Sequence, residues 1–108
     1  MRFLERILIV AINEGAINTV SELMNSFMSD YIEGYQDWAG EIFNRYFPKL
    51  SREMQIKTIH TCTFEAFANK LARAYDIAEP WRKVGEFQWE YKGFESNPNM
   101  NKEVHLNK

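Results

Sequence analysis

The sequence predicts a mainly α-helical fold: a compact bundle of about four helices, then an aromatic C-terminal segment suited to a short β-hairpin, then a flexible tail. Three observations predict it. From Phe3 to Ala78 apolar residues recur at steps of three and four, the spacing of one helix face. Gly15, Gly34, Pro48 and Pro80 interrupt that pattern at intervals ordinary for helices. Beyond Pro80 the period changes, with Phe87, Trp89 and Tyr91 alternating with Gln88, Glu90 and Lys92.

The first helix is expected over Arg2 to Glu14, where Gly15 offers the left-handed residue that commonly follows a helix end. Because Phe3, Leu4, Ile7, Leu8, Val10 and Ala11 are joined by Ile9 and Ile12, this helix is expected to be covered on more than one side, as a central element or an interface. Thr19-Val20-Ser21-Glu22 has the capping-box pattern and predicts the start of a second helix. Its apolar face runs through Val20, Leu23, Met24, Phe27, Met28, Tyr31, Ile32 and Tyr35, and the register continues through Trp38, Ala39, Ile42, Phe43, Tyr46 and Phe47. Gly34 and Gly40 each weaken a helix by about 1 kcal/mol relative to alanine, so a bend or break is expected near Gly34, with Asp37 as a new cap.

Ser51 is suited to cap a third stretch beginning at Arg52, with Ile56, Ile59, Thr63, Phe67, Leu71, Ala74 and Ala78 along one face. Thr58, Thr61 and Thr63 lower helix propensity and place a break near residue 62. For the strand reading of Phe87 to Tyr91, the partner expected from alternation is Val104 with Leu106, across the turn-like Ser96-Asn97-Pro98-Asn99 stretch. The organisation read from this is one helical domain over residues 1–95 and a flexible tail over 96–108, since no linker-like composition divides a chain of 108 residues.

Composition bounds the function. An apolar share of 45% with 26% charged residues is that of a globular chain. A lone cysteine, Cys62, excludes an internal disulfide framework and fits a reducing, cytoplasmic setting. The apolar run Ile7 to Ile12 is too short to span a membrane and lacks a signal-peptide cleavage pattern.

Motifs for chemistry are sparse. His60 and Cys62 are the nearest nucleophile–base pair, but two residues apart on a helix they point away from each other; a buried thiol and a partly exposed imidazole are expected instead. No zinc-ligand or EF-hand spacing and no glycine-rich phosphate loop exists, so neither a metal nor a cofactor is implied and no catalytic residue is assigned. Glu33 and Asp37 share a helix face as paired carboxylates would, yet acid–base work needs a pocket to shift their pKa. Leu71-Ala72-Arg73-Ala74-Tyr75-Asp76-Ile77 resembles the first helix and turn of a helix-turn-helix motif, which implies a DNA-reading helix to follow. The likeness covers seven residues, and it departs from the pattern at Asp76, Pro80, Arg82 and Gly85.

Charge is the informative asymmetry. Between Asn13 and Asn44 stand Glu14, Glu22, Asp30, Glu33, Asp37 and Glu41, with no lysine or arginine. On one uninterrupted helix, Glu22, Asp30, Glu33, Asp37 and Glu41 would occupy an arc of about 100° opposite the apolar face. Like charges at i,i+4 weaken a helix, which points to a basic counterpart. The expected function is therefore a non-enzymatic inhibitor of the bacterial immunity or toxin–antitoxin kind, neutralising a basic protein such as a nuclease toxin. Small acidic helical immunity proteins act in this way, and the likeness lies in size, charge and helix content. Its partner-binding residues are Glu22, Asp30, Glu33, Asp37 and Glu41, with Tyr31, Tyr35 and Trp38 as aromatic anchors. A phage or mobile-element protein directed against a host enzyme is the near variant. The alternative is a small nucleic-acid-binding regulator using Arg45, Lys49, Arg52, Lys57, Lys70, Arg73, Arg82 and Lys83, against which the interspersed acidic residues argue. A homo-oligomer built on the apolar first helix is a third class.

Overall fold

The reversal that decides the architecture is at Gly34, whose φ of 78° lies in the left-handed region that glycine adopts without a Cβ penalty. A computed structural model describes residues 2–34 and 36–93. It is mainly helical with a short antiparallel hairpin, and the chain divides into two units, residues 1–61 and residues 62–108. The tail expected over 96–108 and the strand expected at Val104 and Leu106 lie outside the described residues.

In the first unit, α1 (Phe3–Asn13) ends at Glu14, and Gly15 follows with φ of 69°, as the glycine position predicts. The next helix, α2 (Ile17–Ile32), begins before the expected capping box. The Val20 amide already donates to the Ala16 carbonyl at 2.9 Å, and Ser21 Oγ turns back to the Asn18 carbonyl at 2.9 Å, so Thr19 lies inside the helix and caps nothing. After the turn come α3 (Asp37–Tyr46), a 3₁₀ turn (Phe47–Lys49) that accommodates Pro48, and α4 (Arg52–His60). Gln36, with extended φ and ψ, holds the N-cap position of α3, and Asp37 is the first helical residue. Ser51 caps α4 as its sequence position predicts, its Oγ accepting from the Met54 amide at 3.2 Å.

The central element is α2, which packs against α1, α3 and α4. Its face of Val20, Met24, Phe27 and Met28 is buried, as the periodicity predicts, and meets Leu8, Ile42, Phe43, Phe47, Met54 and Ile59 in the core of this unit. Phe43 and Phe47 stack with centroids 5.0 Å apart, and Phe27 meets Trp38 edge-on at 6.1 Å. By contrast α1 is peripheral: it buries Glu5, Leu8 and Ala11 on one side, while Phe3, Leu4, Ile7 and Val10 stay exposed. Coverage on several sides, expected from its apolar composition, is not found within this unit, where α1 packs on α2 by one face.

Gly40 permits the close approach of α3 to α2. A Cβ at this position would lie 2.3 Å from Tyr31 Cδ1, inside van der Waals contact. Polar groups close the other crossing: Asn25 Nδ2 donates to the Thr58 carbonyl at 3.2 Å and to Thr61 Oγ1 at 3.0 Å, satisfying the C-terminal end of α4.

In the second unit α5 (Glu65–Ala74) buries Ala68, Asn69 and Ala72, a face shifted from the expected Phe67, Leu71 and Ala74. The break at Thr61 to Thr63 resets the phase, so a register carried over from α4 does not hold. Asp76 adopts φ of 55° and the Ile77 amide returns to the Ala72 carbonyl at 2.8 Å, ending the helix. There follow β1 (Trp81–Lys83) and β2 (Trp89–Tyr91), paired antiparallel with Trp81 opposite Tyr91 and Lys83 opposite Trp89. The expected hairpin exists, but β2 pairs with the residues just after Pro80, which supply the shorter loop closure. A helix-turn-helix reading does not survive: where a recognition helix would stand, the chain forms β1.

Candidate functional site

The local rules that end α2 also shape the acidic surface. Glu33 and Gly34 amides return to the carbonyls of Ser29 and Tyr31 at 3.0 Å each, and the Gln36 amide reaches the Asp30 carbonyl at 3.3 Å. The chain reverses there, so the five carboxylates are not borne by one continuous cylinder. Glu22 and Asp30 belong to α2, Glu33 is its C-cap, and Asp37 and Glu41 belong to α3.

Their surroundings separate them into three groups. Glu22 lines a cleft of about 580 Å³ with Asn18, Asn25 and Lys57. Glu41 lines the other, about 410 Å³, with Arg2, Glu5, Trp38 and Arg45. Asp30, Glu33 and Asp37 flank the reversal at Gly34 with no ion-pair partner among the described residues, and Ser29 Oγ, donating to Glu33 Oε1 at 3.3 Å, is a neutral neighbour. Tyr31 and Ile32, which separate Asp30 from Glu33 in sequence, are 49% and 39% exposed. We call this corner the acidic elbow.

The aromatic anchors divide likewise. Tyr31 is about half exposed, its ring lying over Gly40, and Trp38 is half-buried: its ring carries the Arg2 guanidinium at 4.4 Å, and its Nε1 donates to Gln36 Oε1 at 2.6 Å. The Trp38 indole is thus engaged by Arg2 and Gln36 within the fold. Tyr35 lies outside the described residues.

The strongest electrostatic arrangement in the first unit escaped sequence reasoning. Glu5, 7% exposed, accepts from Tyr46 Oη at 2.5 Å and from Arg45 Nη1 at 2.8 Å through the same Oε2. The Tyr46 hydrogen bond, reinforced by Arg45 and opposed by burial, holds the Glu5 carboxyl below its ordinary range, and Glu5 in turn raises both partners. The sequence signal was faint: an acid on the inward face of an apolar helix, whose partners lie 40 and 41 residues away.

His60 and Cys62 are both buried. The helix ends at His60, whose imidazole is buried, where sequence reasoning expected partial exposure. The Cys62 thiol is also buried, as expected; it donates to the Phe64 carbonyl at 3.7 Å, and burial pushes its pKa up, away from the reactive thiolate. Among the described residues no group of three or more His, Cys, Asp and Glu is placed to hold a metal, and no helix is long and apolar enough to cross a membrane.

Comparison with protein-family models, curated proteins and solved structures gives no significant match.

Proposed function

We propose that this chain is a non-enzymatic binding protein of the inhibitor or immunity type, which neutralises a basic protein such as a nuclease toxin through the acidic elbow. One observation carries the reading: Asp30, Glu33 and Asp37 flank a sharp reversal with no ion-pair partner among the described residues, and Tyr31 and Ile32 of the same segment are exposed. Carboxylates of this kind steer a cationic partner and fix its orientation, and the exposed aromatic and aliphatic side chains at the end of the same helix supply most of the contact energy. Compared with the stripe expected from sequence, the surface is smaller, because Glu22 and Glu41 face clefts that hold Lys57 and the pair Arg2 and Arg45.

The nucleic-acid reading is weakened by the same ion pairs. Of the eight cations it would use, Arg45, Arg73 and Arg82 are bonded to Glu5, Glu79 and Glu90, so their charge is already partly neutralised.

The test is titration of the full chain against a panel of basic nuclease domains, with the D30K/E33K/D37K variant alongside. The expected result is a salt-dependent association that the triple variant loses while its helicity is preserved. Equal affinity of the two proteins, or no complex with any basic domain, refutes the proposal.

A further inference from the structure

We propose that a second copy of this chain docks antiparallel on the exposed face of α1, forming a two-fold dimer sealed by reciprocal Arg6–Glu14 pairs. This surface does not involve the acidic elbow, and the inference stands independently of it.

Phe3, Ile7, Val10 and Glu14 are spaced at steps of four, three and four, which places them on one face of α1. The three apolar members are 66%, 37% and 53% exposed, and the face opens into a shallow groove of about 680 Å³ that continues to Ala16 and Thr19. A contiguous apolar face on a peripheral helix is the kind of surface that a partner covers.

The charges choose the partner. Arg6 flanks this face near its N-terminal end and Glu14 closes it at the C-terminal end; both line the groove, and neither has an ion-pair partner among the described residues. The two are eight residues apart, about 12 Å along the helix axis. A two-fold axis perpendicular to α1 and passing beside its exposed face, level with the midpoint between Ile7 and Val10, stacks Ile7 of each copy on Val10 of the other. The same operation brings each Arg6 within side-chain reach of Glu14 of the second copy. The pattern is thus complementary to its own antiparallel image, which is the requirement of an isologous interface. A parallel arrangement would set Arg6 beside Arg6 and Glu14 beside Glu14.

Sedimentation equilibrium of the full chain over a ~100-fold concentration range tests the association, since a weak dimer reveals itself by mass action. The expected result is a reversible monomer–dimer equilibrium. Arg6→Glu and Glu14→Arg, each alone, create two like-charge contacts and are expected to weaken it about tenfold or more. Mixing the two variants in equal amounts restores two attractive cross pairs, one in the native sense and one inverted, so heterodimers should form where neither variant alone dimerises. Both substitutions are at exposed positions, and circular dichroism checks that the helices persist. A wild type that stays monomeric, single variants that dimerise as well as wild type, or a mixture no better than its components would each overturn the proposal.

Discussion

Tyr46 donates its phenolic hydrogen to the Glu5 carboxylate at 2.5 Å, joining α1 to α3 through an acid that is almost withdrawn from solvent. Because this bond and Arg45 favour the ionised form, the folded pKa of Glu5 lies below the unfolded one. The unfolded chain then binds the proton first as pH falls, so the stabilisation is complete above the unfolded pKa and is lost as pH drops through the folded value. Urea midpoints measured on the acid side of neutrality should decline more for the wild type than for Glu5→Gln. Parallel declines for the two proteins would show that Glu5 does not contribute this dependence.

Gly40→Ala should destabilise the first unit. Alanine gains about 1 kcal/mol of helix propensity over glycine, but its methyl would stand 2.3 Å from the Tyr31 ring, and overpacking of this kind costs about 1–3 kcal/mol. The combination with Tyr31→Ala removes the obstacle and should recover the propensity gain. If Gly40→Ala alone is as stable as wild type in chemical denaturation, Tyr31 swings aside and the close approach is not a constraint.

Asn69→Ala should loosen the hairpin. The Asn69 carboxamide donates to the Trp81 carbonyl at 2.9 Å and accepts from the Trp81 amide at 3.1 Å, so its removal leaves two backbone groups without these partners, a cost of about 1–3 kcal/mol. Hydrogen exchange at the Trp81 amide should accelerate along with the loss of stability. Unchanged protection there would mean that the β1–β2 pairing holds the segment without help from α5.

The Cys62 thiol should react slowly with a chromogenic disulfide reagent in the native protein and rapidly after unfolding in urea. Its side chain is buried and its pKa is raised, so both access and thiolate fraction are reduced. Native-state labelling at the unfolded rate would contradict this burial.

Ser51→Ala removes the oxygen that accepts from Met54 and should cost about 1 kcal/mol, read from thermal or chemical unfolding. This cap is also a case of what the sequence made legible. Serine before a helix-forming run, glycine after one, and a face with 3.6-residue period are local signals, and they located α4, the end of α1 and the buried face of α2. Signals that compete with one another misled. The capping box at Thr19 was overridden because Ile17 and Asn18 also accept helical geometry, and the gain from extending α2 over another turn decided its start. The apolar face of α5 was misphased because a threonine-rich break carries no record of how far it rotates the following helix. β1 was overlooked because three residues are too few to show alternation, while its partner strand was visible.

The acidic elbow marks the same boundary between local and long-range information. Gly34 was readable as a weak point, but whether the chain bends or reverses there depends on what α3 can pack against, and that contact is made by Gly40 under Tyr31. The reversal then divides five carboxylates that a helical wheel places in one arc. Glu5 with Arg45 and Tyr46 lies wholly on the long-range side, since nothing in a window around residue 5 specifies partners in α3.

The amide of Asn69 has an effect that reaches past the hairpin it steadies. A two-stranded ribbon has two bare margins, and a bare margin recruits extended chain from any neighbour that offers one. At Trp81 that margin is already occupied, by a side chain presenting the same donor and acceptor that a third strand would bring. The helix thereby blocks at one residue the sort of edge-to-edge joining from which fibrils grow.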